Sequence, residues 1–499
     1  MDMVALRDVL RAGVAIAVAV VAAIAAFTIG AGVTGSLVAA VPIAALCAAV
    51  TGAIVWKHPI VQYDPAATSR PLRVVSAVAT IVALVQFFRL ALFILTPAQV
   101  AYSQFPSSEF EKRHSCLTAY FVAAQALKTT PNVYAEALSS WPSDPAAKRI
   151  PKTLGPFNID PYEYPPPFLL LPRALGLVAP DFMRLRMVWF GMCAGVLLLV
   201  MMAIARSLGP VAGTRAVLLA PLVWAGIPML NTLQKGNAQI LVVAIAVGAM
   251  ALFERRRWAA GGALLAYATV SKLYPGMLVV YLLARRQWRA AAWTAAFSGV
   301  IVLLSLLDTG WAPYAAFLEH LPRVLGGEAF AAFRNPAAVA INLSIPGIVF
   351  KLKLFGVAGM GFAAAKVVGW IYTLVVLGAI ALAARRGVRG EEAPAVWLAI
   401  VILSTLRSPF LPQGYGAFPA VWLLTLLAAY RPPTPKTLLL VALAWFSFNL
   451  YVPMDSIDTR YMAVITLVPQ IATIAVAFLA LRRPDAVATT ATETTPAAA

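Results

Sequence analysis

The stretch Ala12–Gly32, AGVAIAVAVVAAIAAFTIGAG, decides the fold of this chain. It carries no charged side chain and matches the roughly 20 apolar residues that a helix needs to cross a bilayer. A second apolar run, Val33–Trp56, follows almost at once. Two such runs back to back read as a helical hairpin rather than as a cleaved leader. Further apolar runs occupy 74–96, 188–207, 216–231, 238–253, 258–271, 275–284, 290–307, 357–384, 395–408, 415–430, 437–453 and 461–481. Several are too short to cross alone. The expectation is an all-α polytopic integral membrane protein with about 12–14 transmembrane helices.

Composition points the same way. Of 499 residues, 61% are hydrophobic and 12% charged. A soluble domain carries about 25% charged residues, so the apolar excess must face lipid. The formal charge of +19 fits arginines at cytoplasmic helix ends facing anionic headgroups. No basic groove with interleaved aromatics argues for nucleic acid as a partner. Cys47, Cys116 and Cys193 are far apart, as are His58, His114 and His320. This spacing suggests neither a disulfide framework nor a metal site.

The basic residues set the expected orientation. With the N-terminus inside, the inner loops hold Lys57, Arg70 and Arg73; Arg206 and Arg215; Arg255–Arg257; Arg285, Arg286 and Arg289; Arg385, Arg386 and Arg389; Arg431 and Lys436; and Arg482 and Arg483. The short outer turns hold only Lys235, Lys272 and Arg460. The reading is a multi-pass protein of the plasma (inner) membrane with both termini cytoplasmic. A single integral membrane domain spans 1–483, with exoplasmic loops at about 97–187 and 308–356. The Ala/Thr-rich segment 484–499 reads as a disordered cytoplasmic tail. No internal repeat supports a transporter built from repeated halves.

The first outer loop holds the first candidate site residues. Glu109 and Glu111 are the first carboxylates after the third apolar run. A carboxylate at the membrane boundary can take the proton of an attacking hydroxyl; alternatively it pairs with Lys112 or Arg113. His114 stands beside them. Leu117, Tyr120, Phe121, Ala124 and Leu127 lie at helical spacing, as in an amphipathic surface helix or a packing helix. The loop ends Asn158-Ile-Asp-Pro-Tyr162-Glu-Tyr164-Pro-Pro-Pro-Phe168. Its prolines impose an extended lead-in, and Tyr162 and Tyr164 suit either a sugar platform or the membrane interface.

Amides suited to sugar hydroxyls follow at Gln234 and Asn237, around Lys235. Lys272 lies between two short apolar helices, a costly place unless it meets an anion such as a lipid phosphate or snorkels to the headgroups. Arg89, Arg113 and Arg407 could join it as phosphate ligands, and Arg334 and Asn342 could serve as substrate-binding residues of the second outer loop.

The ordered set Tyr162–Pro166, Gln234–Gln239, Glu254–Arg257, Ala260–Ala266, Ser271–Pro275 and Leu282–Arg286 resembles family 87 glycosyltransferases of the glycosyltransferase C superfamily. The resemblance extends over Phe110 to Arg289. It implies a superfamily-like membrane fold with a large first exoplasmic loop. It also implies sugar transfer from a polyprenyl-phosphate carrier to a cell-envelope glycan or glycolipid on the outer face. The sugar would be mannose- or arabinose-like, and the anomeric centre would invert. The family's base is usually an Asp in the first outer loop. This chain departs there: ahead of Tyr120-Phe121 it has Cys116 and no Asp.

The expected mechanism uses Glu109 or Glu111 as base and Lys272 with Arg407 or Arg89 at the leaving phosphate. No cofactor is expected, because the carrier lipid is a co-substrate; the residues leave a metal requirement open. Membrane lipids, the donor and the acceptor are the partners. A lipid-linked sugar flippase or transporter is the alternative, and loss of the Asp also allows a catalytically silent partner. A transporter needs charges deep in its core, and the apolar runs here are nearly free of acids.

Overall fold

The computed structural model describes residues 3–130, 132–140, 152–388, 390–454 and 456–482. The tail 484–499 lies outside the described residues. Every apolar run of the sequence folds as a helix or a helix pair. Seven described helices are long and apolar enough to cross a membrane, or up to eight if Gly209–Trp224 and Ile227–Gln234, bent by 56°, form one span. This is fewer than the 12–14 expected. Gln239–Glu254, Trp258–Ser271, Gly276–Ala284, Ala393–Thr405, Gln413–Ala429 and Pro435–Asn449 are apolar but short.

Burial explains the short ones. Gln239–Glu254, Ala393–Thr405 and Gln413–Ala429 are buried on nearly every face. A helix apolar all round belongs in the core of a bundle. The long helices take the outside: Leu307, Leu374 and Val38 are among their exposed side chains. Small residues allow close approach between them. A Cβ on Gly191 would collide with the Ala25 carbonyl, so Phe182–Ser207 packs directly on Met3–Thr34. The hairpin after Met3–Thr34 turns at Gly35 (φ 70°), and Ser36 caps Leu37–Lys57 by accepting from the Ala39 N–H.

The loop between Arg70–Leu95 and Phe182–Ser207 is mostly packed rather than splayed on a surface. Helix Leu117–Ala126 buries Leu117, Thr118, Ala119, Tyr120, Ala123, Ala124 and Ala126, which makes it a packing helix. A small three-stranded sheet, absent from the sequence reading, joins His114–Ser115, Phe157–Ile159 and Thr153–Leu154. His114 pairs with Asn158 and Ser115 with Ile159 in parallel register. The two long loops are tied together by Arg173 to Asp308 (2.5 Å), His320 to Glu163 (2.9 Å) and the Tyr134–Phe317 ring contact.

Candidate functional site

The parallel pairing of His114–Ser115 with Phe157–Ile159 sets two chain segments side by side. The Thr118 hydroxyl then pins the second one: it donates to the Asn158 carbonyl (3.1 Å) and accepts from the Asp160 N–H (3.0 Å). The result brings Asp160 Oδ1 within 3.4 Å of His114 Nδ1. The other imidazole nitrogen, Nε2, lies 3.3 Å from the Tyr415 hydroxyl and 3.6 Å from Cys116 Sγ. Tyr415 Oη is also 3.0 Å from that sulfur, and Asn237 Nδ2 donates to it at 3.3 Å. Phe110 stacks on the imidazole with ring centres 4.7 Å apart.

Burial disfavours the imidazolium, yet the Asp160 carboxylate and the Cys116 sulfur outweigh it and push His114 up to about 10. Burial would likewise raise the Cys116 thiol, but the charge and hydrogen bond of His114 bring it below its ordinary value. Opposite charges favour each other's ionised forms.

Lys272 borders this cluster through Asn237. Its Nζ donates to Asn237 Oδ1 (3.3 Å) and Gln239 Oε1 (3.2 Å) and lies 5.0 Å from the Tyr164 ring centre. Both bonded partners are neutral amides, so its charge is not cancelled by a bonded carboxylate. Tyr274 donates to the same Gln239 oxygen (3.1 Å), while Gln239 Nε2 is buried without a hydrogen-bond partner. Such an orphan donor is costly unless a ligand meets it.

A second polar layer adjoins the first. Glu111 is fully buried and pairs with Lys235 Nζ at 2.8 Å. Tyr451 Oη donates to its Oε1 (2.5 Å) and Asn231 Nδ2 to its Oε2 (3.3 Å). Burial pushes this carboxyl up, but Lys235 and its hydrogen bonds prevail and hold it low. Gln234 Nε2 donates to the Glu111 carbonyl and to Ser103 Oγ, both at 3.1 Å.

Tyr164 aside, the remaining predicted residues have their described partners away from Lys272. Glu109 is 64% exposed at its side chain and is clasped by Lys112 (2.6 Å) and Arg113 (3.3 Å). Arg89 donates to the Tyr102 carbonyl (3.4 Å) and to that of Ser103. Arg407 donates to Thr373 Oγ1 (2.7 Å) and packs over Trp370. Asn342 spends its side chain on backbone groups of Ser344, Pro409 and Leu411. Arg334 is exposed. Tyr162 is buried and donates to the Pro165 carbonyl; Tyr164 accepts from Tyr120 Oη.

Sequence reasoning missed Asp160, Cys116 and Tyr415 as partners of His114. Asp160 stood in the proline-rich stretch beside Tyr162, but nothing in its spacing announced the strand pairing. Tyr415 looked like one more aromatic of an apolar run.

Fold and site together define a polytopic helical membrane protein with a charged centre where packed loops meet helix ends. The model of glycosyltransferase family 87 matches residues 162–409, just under half of the chain, and over this stretch the protein is similar to that family of glycosyltransferases. The matched region takes in Lys272, Gln239 and the later helices beyond Arg289, and begins just after Asp160. No curated protein and no solved structure matches the chain.

Proposed function

We propose that this enzyme moves a sugar from a polyprenyl-phosphate carrier to a cell-envelope glycan or glycolipid at the exoplasmic face of the plasma membrane, with inversion. The observation that supports this best is the adjacency, through Cys116 and Asn237, of an Asp160–His114 pair and a lysine without a carboxylate partner.

Inverting transfer needs a base for the acceptor hydroxyl and a positive site for the departing phosphate. Asp160 can receive the proton, with the His114 imidazolium held against it, and their side chains are 13% and 16% exposed, enough for contact with a bound hydroxyl. Lys272 and the orphan Gln239 Nε2 stand ready for phosphate oxygens. We place the base here rather than at Glu109, because the Glu109 carboxylate already serves two cations in solvent. Glu111 is committed to Lys235, Tyr451 and Asn231 inside the protein. The acceptor oxygen attacks the anomeric carbon as the bond to the lipid phosphate breaks, and the phosphate leaves with the electron pair.

The test is transfer from synthetic polyprenyl-phosphate sugars by the purified full chain, beside Lys272→Met. Loss of about 10²–10³ in kcat for Lys272→Met fits a contact to the developing phosphate charge. Full turnover by that variant would remove Lys272 from the site. If the wild type moves no sugar from any carrier but scrambles labelled lipid between leaflets, the protein is a transporter.

A further inference from the structure

Cys116 Sγ, His114 Nε2 and Tyr415 Oη form a small triangle with sides of 3.6, 3.0 and 3.3 Å. Zinc bonds of about 2.0–2.3 Å at tetrahedral angles put neighbouring ligand atoms about 3.3–3.8 Å apart, with a sulfur and a nitrogen or oxygen about 3.5 Å apart. The triangle is therefore close to one face of such a coordination shell, short by about half an ångström on the Cys116–Tyr415 side. His114, Cys116 and Asp160 also each offer a ligand atom within 4.8 Å of one another. The donors suit one class of ion. A thiolate, an imidazole and a phenolate prefer a soft or borderline divalent metal to Mg²⁺ or Ca²⁺.

The surroundings complete the pattern. Asp160 sits 3.4 Å from the other imidazole nitrogen, which is where metal-bound histidines carry an orienting carboxylate. Neither nearby lysine bonds to an atom of the triangle: Lys235 bonds to Glu111, and Lys272 to Asn237 and Gln239. Backbone pairing of His114 with Asn158 holds both segments in place without an ion, so the site is already assembled.

We propose that Cys116, His114 and Tyr415 bind one divalent cation of the zinc type, with Asp160 orienting the imidazole, and that occupancy stops sugar transfer. Binding displaces the Nε2 proton of the His114 imidazolium, any proton still on the Cys116 thiol, and that of Tyr415 where it ligates; the protons pass to water. A divalent cation on Nε2 places its charge beside Asp160 and lowers the basicity of that carboxylate, so it takes the proton of an acceptor sugar less readily. The inhibitory half of this proposal rests on the glycosyltransferase reading, whereas the metal site does not.

Titrating the purified full chain with Co²⁺ separates the two. The expected result is a thiolate-to-cobalt charge-transfer band that saturates at one equivalent and is displaced by Zn²⁺. The band should vanish in Cys116→Ser and persist in Cys47→Ser and Cys193→Ser. Asp160→Asn should keep the band but weaken binding 10- to 100-fold, which guards against a Cys116 variant that merely misfolds. Zn²⁺ should slow wild-type transfer at least tenfold, with recovery on adding a chelator. No band in the wild type, or a band that survives in Cys116→Ser, overturns the site. A band in a protein that transfers no sugar leaves the site standing and removes the enzymatic reading. Transfer that needs Zn²⁺, or ignores it while the band is present, overturns the inhibitory role.

Discussion

Asp160 Oδ1 and His114 Nδ1 are 3.4 Å apart because a short parallel strand pair holds their segments in register. The pair lies beside Cys116, at the place where resemblance to family 87 leads one to expect a carboxylate. The acid thus reaches the site from the far end of the loop rather than from its beginning.

Asp160→Asn should lower kcat by about 10²–10⁴, the usual worth of a positioned proton acceptor, with a smaller effect on KM. Glu109→Gln should stay within about twofold, since exposed ion pairs contribute little. Steady-state transfer assays on both variants decide between the two carboxylates, and a reversed order would return the base to Glu109.

Glu111→Gln leaves the Lys235 ammonium buried without its counter-ion. Breaking one partner of a buried pair costs about 3–5 kcal/mol. Thermal unfolding in detergent should show a large drop for Glu111→Gln, and adding Lys235→Met should restore much of it. A single variant as stable as wild type would mean that the pair is not buried as described.

Lys351 is buried and donates to Thr466 Oγ1 (3.0 Å) and Gln470 Oε1 (3.4 Å). Burial brings its pKa from 10.5 down to about 7. Between these values the unfolded chain holds a proton that the folded chain does not, so this group makes stability rise with pH across that window. As pH falls through about 7 the favourable contribution is lost. Lys351→Met should therefore unfold at a higher temperature than wild type near pH 7, with the gap closing towards pH 10. A gap that is constant with pH would show that the lysine titrates normally.

Arg256 adopts φ 57° at the end of Gln239–Glu254, where Arg257 N–H bonds back to Leu252 O and Arg256 N–H to Phe253 O, both at 2.9 Å. This left-handed helix stop favours glycine, and a side chain there costs about 1 kcal/mol. Arg256→Gly should raise the unfolding temperature slightly, and Arg286→Gly, with the same φ, should do likewise. A fall in both would mean that the arginine side chains contribute more than the backbone strain costs.

The amino-acid sequence by itself determined the membrane class and the place of the helices in the apolar runs, because a charge-free apolar run has no stable place in water and its backbone must be paired internally to enter lipid. It also carried the resemblance to glycosyltransferase family 87, through residues from Tyr162 onwards, and drew attention to Lys272, Asn237 and His114. Tertiary structure alone decided how many helices are long enough to cross, since hydropathy does not distinguish a core helix such as Ala393–Thr405 from one facing lipid. It also decided the partners of each charge. Glu109 and Glu111 are near neighbours in sequence, yet one lies in solvent and the other is buried against Lys235. Asp160 meets His114 only through a strand register that no local pattern encodes. Spacing along a chain fixes which face of an element a residue occupies, whereas the meeting of distant segments depends on packing among all of them.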